Sequence, residues 1–189
     1  SEYHHIKEDR GVISGRIKKL EQTFVYYEEE RPLTKKQTYA QNRKKILFKE
    51  VVRSTRHAYD VLKKMNRYQN DLHNLNHELL LQIKLEIDTL IAYHEQIFIS
   101  LSKKAKYDVG QFENQIENPQ KKELMDAFQK ELIRNPYQTM YSYANVMQII
   151  SAIEEYRYTL EHLDRLRISF FSYHNNDNEI DILDEDFDL

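Results

Sequence analysis

Apolar residues recur along this chain in steps of three and four, the spacing that lays a stripe down one side of an α-helix. Ile13, Ile17, Leu20, Phe24 and Tyr27 step 4-3-4-3 and predict a first helix over about residues 12–30. A much longer stripe begins at Phe48, Val52, Tyr59, Leu62 and Met65. It continues through Tyr68, Leu72, Leu75, Leu79, Ile83 and Ile87 to Leu90, Tyr93, Ile97 and Leu101. From Leu62 onward it advances about 3.5 residues per step, close to the coiled-coil period. It predicts a helix over 34–104, opened by Thr34-Lys35-Lys36-Gln37 as a capping box. Leu124, Phe128 and Leu132 predict a short helix over 121–134. Val146, Ile149, Ile153, Tyr156, Leu160 and Leu163 predict the last, over 137–173, with Met140, Ala144, Met147 and Ile150 widening its apolar face.

Between these stripes the chain has few places to turn. It holds three glycines and three prolines, at Gly11, Gly15, Pro32, Gly110, Pro119 and Pro136. Sheets need many turns, and turns need such residues, so the expected fold is all-α. Long antiparallel helices would form an elongated bundle or a coiled-coil hairpin, one domain over 1–176 followed by a tail over 177–189. The long helix has one weak point. Asn66, Asn70, Asp71, Asn74 and Asn76 are poor helix-interior residues and mark a joint at 69–77. The stripe crosses them in phase, which favours an unbroken helix of about 105 Å. A helix of that length cannot bury its stripe within 189 residues, so a homodimer or a larger protein partner is expected with it.

Charge changes the picture more than composition does. Hydrophobic residues are 40% and charged residues 31% of the chain, a balance that fits long exposed helices with a modest core. The net charge is -3, yet residues 34–67 carry eleven of the 28 Lys and Arg against two of the 31 acids. Lys45, Lys49, Arg53, Arg56, Lys63 and Arg67 fall together on a helical wheel beside the apolar stripe. Fixed cations in a row attract phosphates and carboxylates. The bias exceeds what solubility needs, since mixed charges serve that purpose. The leading expectation is a non-enzymatic scaffold or interaction domain that offers this basic amphipathic helix to an anionic membrane or an acidic protein segment. Nucleic acid is a weaker alternative. Residues 177–189 hold seven acids and no base, interspersed with Ile180, Ile182, Leu183, Phe187 and Leu189. Such a run suits a binding peptide and can also fold back to screen the basic helix.

Little in the chain points to catalysis. Without cysteine there are no disulfides or thiolate metal sites, and three glycines cannot build a phosphate loop or a nucleophile elbow. His73 and His77 lie four apart, but two ligands do not make a metal site. Arg157-x4-His162 and Arg67-x5-His73 match the loose spacing of HEPN-type helical ribonucleases, in which the histidine would act as acid/base and the arginine would hold a phosphate. Eleven arginines and eight histidines supply as many such matches by chance, so no enzyme, cofactor or metal is expected. The tyrosines of the last helix read as core with hydroxyls at the rim. No apolar run reaches the roughly 20 residues that span a bilayer, and no signal-peptide pattern opens the chain. The expected location is cytoplasmic, at a membrane surface if the basic helix binds one. The chain opens on Ser rather than Met and reads as a piece that could be cut from a larger, even membrane-bound, protein. In helix length and charge, over most of its length, the architecture resembles two known types. One is the crescent-shaped helical dimers of BAR type, which implies binding to anionic membranes. The other is the cytosolic helical domain of fusaric-acid-resistance-type exporters, which implies a soluble part of a transporter.

Overall fold

The computed structural model describes residues 2–23, 35–101, 121–134 and 140–176. Among them there are six helices and no strand, so the fold is all-α: α1 Glu2–Thr23, α2 Lys35–Arg67, α3 Gln69–His73, α4 His77–Leu101, α5 Lys121–Arg134 and α6 Met140–Asn176. The capping box, the 107–120 loop, the boundary at Pro136 and the 177–189 tail lie wholly or partly outside the described residues.

The helix predicted over 34–104 is broken. Tyr68 leaves helical geometry at φ -108°, ψ 27°, a single turn of α3 follows, and residues 74–76 separate it from α4. Of the asparagines that mark this weak point, Asn74 ends α3 and Asn76 starts α4. The Asn74 N–H donates to the Asn70 carbonyl at 3.2 Å, and the Asn76 Oδ1 accepts from the Glu78 N–H at 3.0 Å as the cap of α4. The apolar stripe nevertheless keeps its phase, because the joint itself rests on α6. Leu72 and Leu75 stay buried there. Asp71 accepts from the Ser142 hydroxyl at 2.6 Å and the Asn145 amide at 2.9 Å, and the Tyr68 hydroxyl donates to Gln148 at 3.0 Å.

Folded at that joint, α2 and α4 run antiparallel at opposite corners of the bundle, and Ser54 meets His94 across its centre. Helix α6 lies against both. It runs antiparallel to α2, through Arg43 with Ser169, Glu50 with His162 and His57 with Glu155. It runs parallel to α4, through Glu86 with Arg157 and Tyr93 with Asp164. Helix α1 packs on α2 and α4, where Arg16 bonds Asp88 at 2.7 Å and also reaches Glu95. Helix α5 closes the joint end of α4, with Phe128 edge-on to Tyr143 of α6. The stripes of α2 and α4 are therefore buried within one chain, and the expected homodimer loses the length on which it was argued.

Phase along the helices follows the predicted stripes in α4 and α6, where Leu79, Ile83, Ile87, Leu90, Val146, Ile149 and Ile153 are all core. Three details differ. In α2 the core side is Leu47, Val51, Ala58, Val61 and Met65, while Phe48, Val52 and Tyr59 sit at its edge toward α1. In α5 Leu132 is turned outward and Glu131 inward. Ala144 and Met147 of α6 are exposed and Ile150 is buried, so of these three described side chains Ile150 alone widens that face as predicted. Helix α1 begins ten residues before its predicted start and passes through Gly11 and Gly15, since a glycine inside a helix costs only about 1 kcal/mol relative to alanine.

Candidate functional site

The six predicted cations do share a face of α2. At 100° per residue, Lys45, Lys49, Arg53, Arg56, Lys63 and Arg67 fall within an arc of about 80°. That arc lies opposite the core residues Leu47, Val51, Ala58, Val61 and Met65, and beside Val52 and Tyr59 of the predicted stripe. All six are exposed except Lys45, which is half-buried. Lys49, Arg53, Arg56, Lys63 and Arg67, with Asp60 between Arg56 and Lys63, step 4-3-4-3-4 and form a seam about 27 Å long. The neighbouring acids do little to neutralise it. Asp60 pairs with Lys64 at 3.1 Å, on the flank of the seam. Glu50 faces His162 at 3.2 Å and stands 3.7 Å from Arg53. Arg67 lies over the Tyr68 ring at 5.6 Å. Lys49, Arg56 and Lys63 form no ion pair among the described residues. Two other cations of the basic run are turned away from the seam: Lys44 is buried on the far side, and Arg43 donates to the Ser169 carbonyl.

Beside the seam, α1 and α2 leave an open groove of about 670 Å³, continuous through Glu21, Val52 and Thr55 with a second hollow of about 470 Å³. Its floor is apolar, made by Val52, Val51, Leu20 and Phe48. Its rim carries Arg56 and Lys63 from α2 and Lys18 from α1. The two acids in the groove are already engaged. Asp60 holds Lys64, and Glu21 accepts from the Tyr59 hydroxyl at 2.7 Å, a bond that pushes the Tyr59 pKa up to about 12. No sequence signal pointed to Lys18 or Glu21, because their place beside α2 depends on how α1 packs.

The bundle centre holds polar groups that the sequence did not single out. His94 is fully buried between Ser54 and Tyr156. The Ser54 hydroxyl donates to the Val51 carbonyl at 2.6 Å, so the His94 Nε2–H donates to Ser54 Oγ at 2.9 Å and the Tyr156 hydroxyl donates to Nδ1 at 2.6 Å. Burial lowers the His94 pKa to about 3 and raises that of Tyr156 well above its ordinary value. A serine beside a histidine matches hydrolytic sites in composition alone: this pair is enclosed by core and has no room for a substrate. Arg157 is only 2% exposed and pairs with Glu86 and Glu154. His162 lies half-exposed beside Glu50, so the ribonuclease spacing does not bring Arg157 and His162 to one site. Arg67 and His73 are separated by the break at Tyr68, and His73 and His77 by the break at 74–76. Among the described residues no group of three or more His, Asp or Glu is placed to hold a metal.

The chain is similar to UPF0421 protein YgaE of Bacillus subtilis (strain 168), 34% identical over 181 residues that cover 96% of this chain and 50% of that protein. It thus spans about half the length of the curated relative it matches. No family model matches the chain. No solved structure matches it. Among the described residues no helix is long and apolar enough to cross a membrane.

Proposed function

We propose that this domain is a non-enzymatic helical scaffold that offers the α2 seam to an anionic partner, either the headgroups of an anionic membrane or an acidic protein segment. The observation that supports it is the seam itself: five cations and one acid on the outward side of a helix whose opposite side is locked into the core. The bundle holds the cations in fixed register, so a partner does not have to order the helix on binding. Cations on such a face attract anionic headgroups by about 1 kcal/mol each near the surface.

The test is a charge reversal, Lys49→Glu with Arg56→Glu and Lys63→Glu. All three side chains are exposed, and the thermal midpoint should stay close to that of the parent. Affinity for phosphatidylserine-containing vesicles should fall by about 100-fold or more, on the scale of about 1 kcal/mol per cation. Parent binding should weaken steeply with salt. If neither these vesicles nor polyglutamate bind the parent protein at low salt, the proposal fails.

A second reading has its own support. The relative is twice as long as the match, which suits a domain that works as part of a longer protein. Under that reading the bundle is the soluble helical domain of a membrane transporter, and the seam faces the membrane or the remainder of that protein.

A further inference from the structure

We infer that the α1–α2 groove, with its basic rim, is a docking site for an acidic peptide that carries apolar residues, and that its occupant is residues 177–189 of the same chain. This rests on the reading of the α2 seam as anion-binding and names a partner for it. Three features of the molecule lead there.

Chemistry is the first. The groove pairs an apolar floor at Val52, Leu20 and Phe48 with cations at Arg56, Lys63 and Lys18 that form no ion pair among the described residues. A ligand that fits has to bring carboxylates and apolar side chains together. Residues 177–189 supply seven carboxylates with Ile180, Ile182, Leu183, Phe187 and Leu189 between them. In extended form, Asp177, Glu179 and Asp181 would project to one side and Ile180 and Ile182 to the other, matching a rim and a floor.

Reach is the second. Helix α6 runs antiparallel to α2, with Glu50 beside His162 and Arg43 beside Ser169. Continued to Asn176, that register places the end of α6 level with about residue 36 of α2. Val52 is then about 24 Å farther along, and Lys63 about 40 Å. Thirteen extended residues span about 43 Å, enough to follow the groove from one end toward the other.

Tethering is the third. A segment joined to the bundle meets the groove at an effective concentration in the millimolar range, so a weak contact suffices to keep it seated. The segment would then act as a strap over part of the basic seam, displaced when a stronger anionic surface arrives.

The chain of 189 residues tests this in two ways. A zero-length carbodiimide linker should join carboxylates of 177–189 to Lys63 or Lys18 at low salt and not at high salt. In the second, the seven acids are changed to amides (D177N, E179Q, D181N, D184N, E185Q, D186N, D188N). That variant should bind phosphatidylserine-containing vesicles about tenfold more tightly than the parent, because a tethered competitor has been removed. If vesicles bind parent and variant alike and no such links form, the strap is overturned while the seam proposal stands. If neither protein binds vesicles, the membrane form of that proposal falls, and the cross-links alone decide the strap. Links found only between isotopically light and heavy chains in a mixture would overturn an occupant from the same chain.

Discussion

His94 binds no proton in the folded chain at any ordinary pH, because burial holds its pKa at about 3. Unfolded, it titrates near 6.5. Between those values the unfolded state takes up a proton that the folded state refuses, so acid favours unfolding there. The stability this group confers is fully present above pH 6.5 and is lost progressively as pH falls toward 3. Near pH 5 it should add about 1.4 kcal/mol per pH unit to the slope of stability against pH. Replacing it by His94→Phe keeps the ring's bulk but removes the titration, and leaves the Tyr156 hydroxyl without its acceptor. The variant should lose about 1–3 kcal/mol at neutral pH through that unpaired group. Its urea midpoint should vary less with pH between 6 and 4 than the parent's. Equal slopes in parent and variant would show that His94 is not the group responsible. Nothing in the sequence marks this residue out from the other seven histidines. Its role comes from Ser54 and Tyr156, 40 and 62 positions away in the chain.

Two elements carry sequence features whose meaning only packing reveals. Gly11 and Gly15 look like boundaries but lie inside α1, and a Cβ built on either meets nothing within 4 Å. Gly11→Ala and Gly15→Ala should each raise stability by about 0.5–1 kcal/mol, read as a higher thermal midpoint. A fall at either position would mean that α1 does not run through it. The asparagines of the joint were legible as a weak point, but not as caps. Asn76→Ala removes the side-chain acceptor of the Glu78 N–H and should cost about 1 kcal/mol. An unchanged midpoint would show that Asn76 does not cap α4. Periodicity found the buried stripes of α4 and α6, since each packs one stripe against its neighbours. It missed the boundary that makes α4 a separate helix, and in α5 it held for Leu124 and Phe128 and failed at Leu132. It misjudged α2 because that helix has apolar residues on two adjoining strips, and only the strip facing α6 and α4 is core. Phe48, Val52 and Tyr59 on the other strip form the groove with α1. The seam was readable from charge and wheel arithmetic alone, because exposed positions need no partner to be defined. Its companion groove was not, because Lys18 and Glu21 reach it only through the packing of a separate helix.

At the scale of the whole molecule, the joint at 74–76 decides what shape carries the seam. An unbroken helix over 35–101 would be about 100 Å long and would present its cations on a rod. Folded at the joint, the same residues lie within a bundle whose longest helix, α6, has 37 residues and spans about 56 Å. The seam then occupies one side of a compact body, with the groove and the end of α6 within reach of it. The absence of cysteine makes this directly measurable, because two introduced cysteines can be spin-labelled without background. Asn42→Cys on α2 and Ile99→Cys on α4 are both exposed positions. With Ser54 beside His94, the antiparallel register leaves positions 42 and 99 about 10 Å apart along the bundle axis. The two helices lie diagonally across the bundle, which adds about 14 Å sideways. The labels should therefore report a distance on the order of 20–30 Å once their own length is included. An unbroken helix would hold the same positions about 86 Å apart. Diluting the labelled chain with unlabelled protein separates distances within a chain from those between copies, so association does not obscure the answer. A long distance that persists on dilution would overturn the folded joint, and with it the register by which residues 177–189 reach the groove.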